Sequence, residues 1–366
     1  MSIERRWLAA MIAGIPTPPI VDSSGNGNAG QADALLACAI EEGVVALVHQ
    51  RLSEGPSVST RLRDTFAAAA RDSAVASLLR ETECRRVLAV LQTGQIPVLL
   101  MKGSALAWWL YPAAYLRECC DIDLLFSSRA HAMEAVRLLA AHGYVLNHRP
   151  DDLSYELLCR REIGSMRFDL DMHWRLVNAP IFAEALCFEA LHASSILLPR
   201  LAADARALGP VHAFMHACIH RAMNLTVGIG DGLKWLYDLH LLGQQLTTAD
   251  WSALQQQCGE FGLSGICAAG IEAAADLFGT AVPPNVLRAL QEASAHESLD
   301  IGRLHDWKYM QGRNLAALPS LSIRARWLWQ RLFPPVGYLR ELYGADRGVG
   351  SLWIQRIRHA IGRLRS

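Results

Sequence analysis

The chain has 366 residues, 52% of them hydrophobic and 19% charged, with 35 Lys and Arg set against 35 Asp and Glu. That neutrality excludes a general nucleic-acid binder, which carries a large positive excess, though it leaves room for a local basic patch. The length suits two or three domains, and nine cysteines without a C-x-x-C pair indicate a reduced chain that uses cysteine as a small hydrophobe.

The opening "MSIERRWLAAMIAGIPTPP" places two arginines before an apolar run. The run is short and no small-residue cleavage site follows, so it is not read as a signal peptide. Residues 1–92 read as helical: "DALLACAIEEGVVALVHQRL" and "RLRDTFAAAARDSAVASLLRETECRRVLAVLQ" repeat apolar residues every three or four positions. "SSGNGNAGQ" (Ser23 to Gln31) is a loop by composition.

The pattern changes at Gly94. "IPVLLM" is a short buried strand, "GSALAWWLYP" a helix with Pro112 near its end, and "CDIDLLF" a second strand. "SRAHAMEAVRLLAAHGY" is an amphipathic helix with Gly143 as its stop, and "SMRFDLDMHWRL" is a third, cleanly alternating strand. The alternation of strand and helix makes residues 93–205 a small α/β unit.

Residues 206–366 return to helix and predict a bundle, with "TTADW" as an N-cap signal. The tail after Leu321 holds nine arginines against Glu341 and Asp346, interleaved with Trp327, Trp329 and Trp353. Overall neutrality favours amphipathic helices whose tryptophans complete the bundle over a nucleic-acid stripe. No uncharged apolar run reaches the roughly 18 residues of a membrane helix. The expectation is a cytoplasmic protein without a membrane partner.

Strand side chains alternate faces, so Asp121 and Asp123 share one face of their strand, and Asp169, Asp171, His173 and Arg175 share one face of theirs. If the strands are neighbours, three or four carboxylates converge. Such a cluster stays ionised only beside a positive charge, and a divalent cation is the natural guest. An all-oxygen set suits Mg²⁺ or Mn²⁺. Ahead of the aspartates, Lys102, Gly103 and Ser104 form a strand-to-helix turn whose backbone N–H groups and ammonium suit a phosphate. It is not a Walker A loop, because no second glycine stands upstream at the required spacing.

A glycine-serine turn opening a helix, a D-x-D strand and a third acidic strand is the layout of the polymerase β-type nucleotidyltransferase superfamily. More closely, "IPVLLMKGSALAWWLYP", "LREC" with "CDIDLLF", "LDMHWRL" and "CIHRAMN…LKWLYDLHLL" resemble the bacterial "nucleotidyltransferase family protein" group, from about Ile96 to Leu242. The resemblance implies an α+β fold, a small mixed-sheet catalytic domain between N-terminal helices and a C-terminal helical bundle. It implies Mg²⁺ or Mn²⁺ as cofactor and a nucleotide triphosphate as substrate. Gly103 and Ser104, with Lys102, form the phosphate turn. Asp121 and Asp123 form the metal pair and Asp171 the third carboxylate, with Asp169 as its alternative should the register differ. Arg117 matches the group's arginine and is assigned a phosphate contact. His220, Lys234 and Asp238 match cleft positions of the helical half. The group's second helical histidine, four residues after His220, is Asn224 here.

The reaction so implied moves a nucleoside monophosphate onto an unknown acceptor, a small molecule, sugar phosphate or peptide. The alternatives are a transferase using a nucleotide-activated donor, or a silent nucleotide- or protein-binding module. His212, His216 and His220 stand at i, i+4 and i+8 but lack the partners of a zinc site. They read as cleft-facing or satisfied core histidines, while Lys234 and Asp238 at i, i+4 can pair on a helix surface.

Overall fold

Each long strand of the central sheet turns a different chemistry to each side, and this decides what packs where. The computed structural model describes residues 1–16, 29–54, 60–147, 153–344 and 348–365. Seven strands form one mixed sheet: β1 (Val98–Leu100), β2 (Asp121–Phe126), β3 (Val145–Leu146), β4 (Glu156–Ile163), β5 (Met166–His173), β6 (Ile196–Leu197) and β7 (Arg206–Ala207), in the spatial order β3-β4-β5-β2-β1-β7-β6. β1 and β2 run antiparallel, β2 and β5 parallel, and β5 pairs antiparallel with β4.

Six helices belong to the N-terminal part and the sheet's first crossovers: α1 (Ile3–Ala13), α2 (Ala29–Glu42), α3 (Val45–Glu54), α4 (Thr60–Thr93), α5 (Lys102–Trp109) and α6 (Arg129–Ala140). The short α7 (Pro180–Ala183) and α8 (Phe188–Ala193) follow β5. The C-terminal part is α9 (Pro210–Thr226), α10 (Leu233–Gln245), α11 (Thr248–Phe261), α12 (Ser264–Phe278), α13 (Pro284–Ser294), α14 (Trp307–Ala317), α15 (Leu321–Leu332), α16 (Val336–Tyr343) and α17 (Val349–Arg365). The fold class is α+β, as expected.

On one side of the sheet Leu100, Ile122, Leu124, Phe126, Leu170 and Met172 form a core with α4 and α6. On the other side Leu99 and Leu125 join a second core that the N- and C-terminal helices share. α1 contributes Trp7, Leu8 and Ile12 to it, so the segment with signal-like composition is a buried structural helix. Arg5 pairs with Glu42 at 2.6 Å, and the other carboxylate oxygen of Glu42 accepts the Leu233 N–H at the start of α10, also at 2.6 Å. That carboxylate satisfies one of the orphan donors of a helix start and ties the two helical regions together.

Three features depart from the sequence reading. The sheet has seven strands where periodicity gives three, because β4 carries charges at both ends and β3, β6 and β7 are two residues long. The predicted helix through "EEGVV" is broken: Gly43 takes φ +64°, and a side chain there would also strike Lys234. The predicted loop from Ser23 lies outside the described residues as far as Asn28, and Ala29 already starts α2. The "TTADW" signal forms the expected cap, with Thr247 and Asp250 exchanging hydrogen bonds in a capping box.

Candidate active site

The parallel register of β2 and β5 sets Asp121 opposite Asp169 and Asp123 opposite Asp171, with His173 opposite Leu125. The two acidic strands are neighbours, and the same face carries all of these polar side chains. Ligand atoms of Asp123, Asp171 and His173 lie within 4.8 Å of one another. Asp123 is 2% exposed and His173 also 2%. His173 Nε2 stands 3.5 Å from Asp123 Oδ1, and Nδ1 stands 3.4 Å from Glu156 of β4. Both contacts are at the edge of hydrogen-bond range and badly aligned, so neither ring nitrogen has a hydrogen-bond partner. Buried unsatisfied nitrogens beside two carboxylates are a donor set that fits a divalent cation. The imidazole moves the set from all-oxygen toward metals that accept nitrogen, Mn²⁺ among them.

The acids are not left uncompensated. Lys102 Nζ reaches Asp123 Oδ1 at 2.5 Å. Burial pushes the Asp123 carboxyl up, yet Lys102 and the adjacent His173 outweigh it and hold it well below the usual carboxylate range. Asp171 gains less from Lys102, and burial together with the Asp123 charge pushes it up to about 6. Asp121 is raised by the same two causes and lies outside the close group of three. Asp169 is taken up by arginines: Arg160 of β4 at 2.7 Å and Arg167 at 3.1 Å.

Local backbone chemistry places the lysine. Lys102 has φ +48°, a left-handed conformation unusual for a side-chain-bearing residue, at the junction of β1 and α5. Ser104 fixes this junction. Its hydroxyl donates to Met101 O at 2.7 Å and accepts the Asp123 N–H at 3.1 Å, so helix start and acidic strand are stapled together. A cleft opens over the face, lined by Lys102, Asp121 and Asp123 on the sheet side and by His216, His220 and Trp235 on the helical side. Burial, and then the Lys102 charge, depresses both histidines to about 3 and keeps them neutral. His216 Nε2 is buried without a partner.

Residues 28–279 match a protein family described as "uncharacterised nucleotidyltransferase". This chain belongs to that family. No curated protein and no solved structure matches it. The acidic face and the lysine just described lie within the matched span.

The remaining expected residues of this nucleotidyltransferase take up specific places. Arg117 is 5% exposed and gives its Nε and Nη2 to Asp238, at 2.8 and 2.7 Å, and its Nη1 to the Glu118 carbonyl at 2.6 Å. Tyr111 donates to the same Asp238 carboxylate at 2.7 Å. Asp238 therefore pairs with Arg117 across the cleft floor, and not with Lys234 along its own helix. Lys234 lies over Trp235 and against Gly43. Gly103 faces Arg117 and Cys119: a Cβ there would stand 2.7 Å from Cys119 Sγ and 3.0 Å from Arg117 Nη1. The glycine thus admits the arginine and the cysteine.

The histidine row divides. His212 is satisfied by Ser194 and Gln257, both at 2.9 Å, whereas His216 and His220 line the cleft. Asn224, at the position where the resemblance expects a histidine, lies 3.5 Å from His220 Nδ1. Glu156 is the functional-face residue that sequence reasoning missed, since β4 shows no clean period. Strand alternation already puts His173 on the acidic face, but its place in the donor group depends on register.

Proposed function

We propose that this protein is a divalent-metal-dependent nucleotidyltransferase of the polymerase β type, moving a nucleoside monophosphate from a nucleotide triphosphate to an acceptor hydroxyl or phosphate. The observation that carries the reading is the convergence of Asp123, Asp171 and His173 beside Lys102, with Asp123 and Lys102 lining the cleft. Residues 93–205 are the catalytic unit in this reading, and the helical segments 1–92 and 206–366 wall the cleft.

Asp121, Asp123 and Asp171 would hold Mg²⁺ or Mn²⁺, with His173 as a nitrogen donor; Asp169, already engaged by Arg160 and Arg167, takes no part. A cation so held would neutralise the triphosphate and the developing charge on the leaving group. Lys102, with the N–H groups at the start of α5, binds phosphate oxygens. His220 and Lys234 face the nucleotide from the helical side. Arg117 and Asp238 act through the shape of the cleft floor. An acceptor oxygen forms a bond to the α-phosphorus, the bond to the β-phosphoryl oxygen breaks, and pyrophosphate leaves. The acceptor proton passes to Asp171.

The test is incubation with each labelled nucleotide triphosphate, Mg²⁺ or Mn²⁺, and a cell extract. Pyrophosphate release with a labelled product, abolished in Asp123→Asn and Asp171→Asn, supports the reading. Thermal stabilisation by nucleotide with no product under either metal overturns it in favour of a binding module.

A further inference from the structure

The family match ends at residue 279, and the last three helices lie beyond it. The segment from Leu321 onward carries nine of the chain's 35 Lys and Arg but two of its 35 Asp and Glu. All nine are arginines. The tryptophans do not simply complete the bundle: Trp327 is 5% exposed, but Trp329 is 63% exposed. On α15 the exposed large apolar side chains are Leu321 (80%), Leu328 (43%), Trp329 (63%) and Leu332 (59%). Their spacing of seven, one and three residues is a single stripe of an α-helix. At 100° per residue Arg324 and Arg331 fall on one flank of that stripe and Arg326 on the other. α17 repeats the arrangement with Val349 and Ile357 exposed two turns apart. Phe333 touches both Trp329 and Trp353, so the two stripes form one continuous surface.

We propose that this surface docks on an anionic lipid bilayer, with α15 and α17 lying in the interfacial plane. Charge complementarity decides the occupant. Arginines that flank an apolar stripe can engage lipid phosphates while the stripe enters the acyl region. A second copy of the chain would bring like charge against like charge. RNA would use the arginines and Trp329 but leave Leu321, Leu328 and Leu332 without a role, since aliphatic side chains give bases nothing to stack on. The expectation of no membrane partner rested on the lack of a spanning run, and among the described residues no helix is long and apolar enough to cross a membrane. A helix that lies on the surface needs no such run.

The experiment is flotation of the full chain with vesicles of phosphatidylcholine alone and with about 30% phosphatidylglycerol. The anionic vesicles should bind the protein at least about tenfold more strongly, and the difference should shrink with added salt. The variant Leu321→Ser/Leu328→Ser/Leu332→Ser should lose at least about tenfold of that binding with little change in its unfolding midpoint, because all three side chains are exposed. Equal binding to both vesicles, or undiminished binding by the variant, overturns the proposal. So does a dimer that the variant dissociates, or an RNA affinity that displaces the vesicles.

Discussion

The Arg117–Asp238 pair gives the sharpest test of how the cleft floor is held. Both side chains are 5% exposed, and Asp238 accepts from Arg117 Nε and Nη2 and from the Tyr111 hydroxyl. Asp238→Leu removes the acceptor of all three and leaves a buried guanidinium without its counter-charge. Breaking a buried pair from one side costs about 3–5 kcal/mol, because the surviving charge keeps its desolvation penalty. Losing the Tyr111 bond adds about 1 kcal/mol. Replacing both partners, Arg117→Met with Asp238→Leu, removes the penalty and should recover most of the loss, since apolar pairs of similar volume often match a buried ion pair. Urea unfolding of the wild type, the single variant and the double variant measures all three. A single variant that loses less than about 1 kcal/mol, or a double variant no better than the single, refutes the assignment of Arg117 as cleft scaffold and returns it to substrate contact.

Gly103→Ala should cost about 1–3 kcal/mol by driving a methyl into Cys119 and Arg117, and Cys119→Ala in the same chain should restore part of it, both read from unfolding midpoints. Burial depresses His216, Lys102, His220 and His173 add to this, Asp123 acts in the opposite sense, and the ring stays neutral in the fold down to about pH 3. The unfolded imidazole takes up its proton near pH 6.5, so the unfolded state binds more protons in between: stability is full above that pH and falls as the pH drops, by up to about 1.4 kcal/mol per unit. His216→Leu should flatten that slope between pH 7 and pH 5, and an unchanged slope would assign the acid sensitivity elsewhere.

Alternation alone made the face legible. Asp121 and Asp123, then Asp169, Asp171 and His173, fall on common faces by period two, and the structure keeps every one of them there. What the sequence could not give was register. The parallel pairing of β2 with β5 joins strands 48 residues apart, a tertiary fact, and β4, which pairs with β5 as a tight hairpin, hides because its ends are charged. That hidden strand is what delivers Arg160 to Asp169. The same holds for Arg117 and Asp238. Each appears in a recognisable motif, but their partnership across 121 residues is a tertiary fact. Helix spacing made Lys234 the natural partner of Asp238; burial of Asp238 against Tyr111 and Arg117 overrode that local preference.

Lys102 compensates the buried charge of Asp123 directly. Its ammonium pairs with a carboxylate that is 2% exposed, from a left-handed backbone position that Ser104 stabilises. A divalent cation and Lys102 therefore offer the same service to Asp123. Lys102→Met leaves the carboxylate buried and unpaired, which costs several kcal/mol unless a cation replaces the ammonium. Mn²⁺ should then stabilise the variant more than the wild type, by an amount that grows with its concentration as binding to the native state alone requires. Thermal melts of both proteins across a Mn²⁺ series measure this directly. Equal shifts in the two proteins would mean that the cation seats itself away from Asp123, and the site would have to be redrawn around other donors.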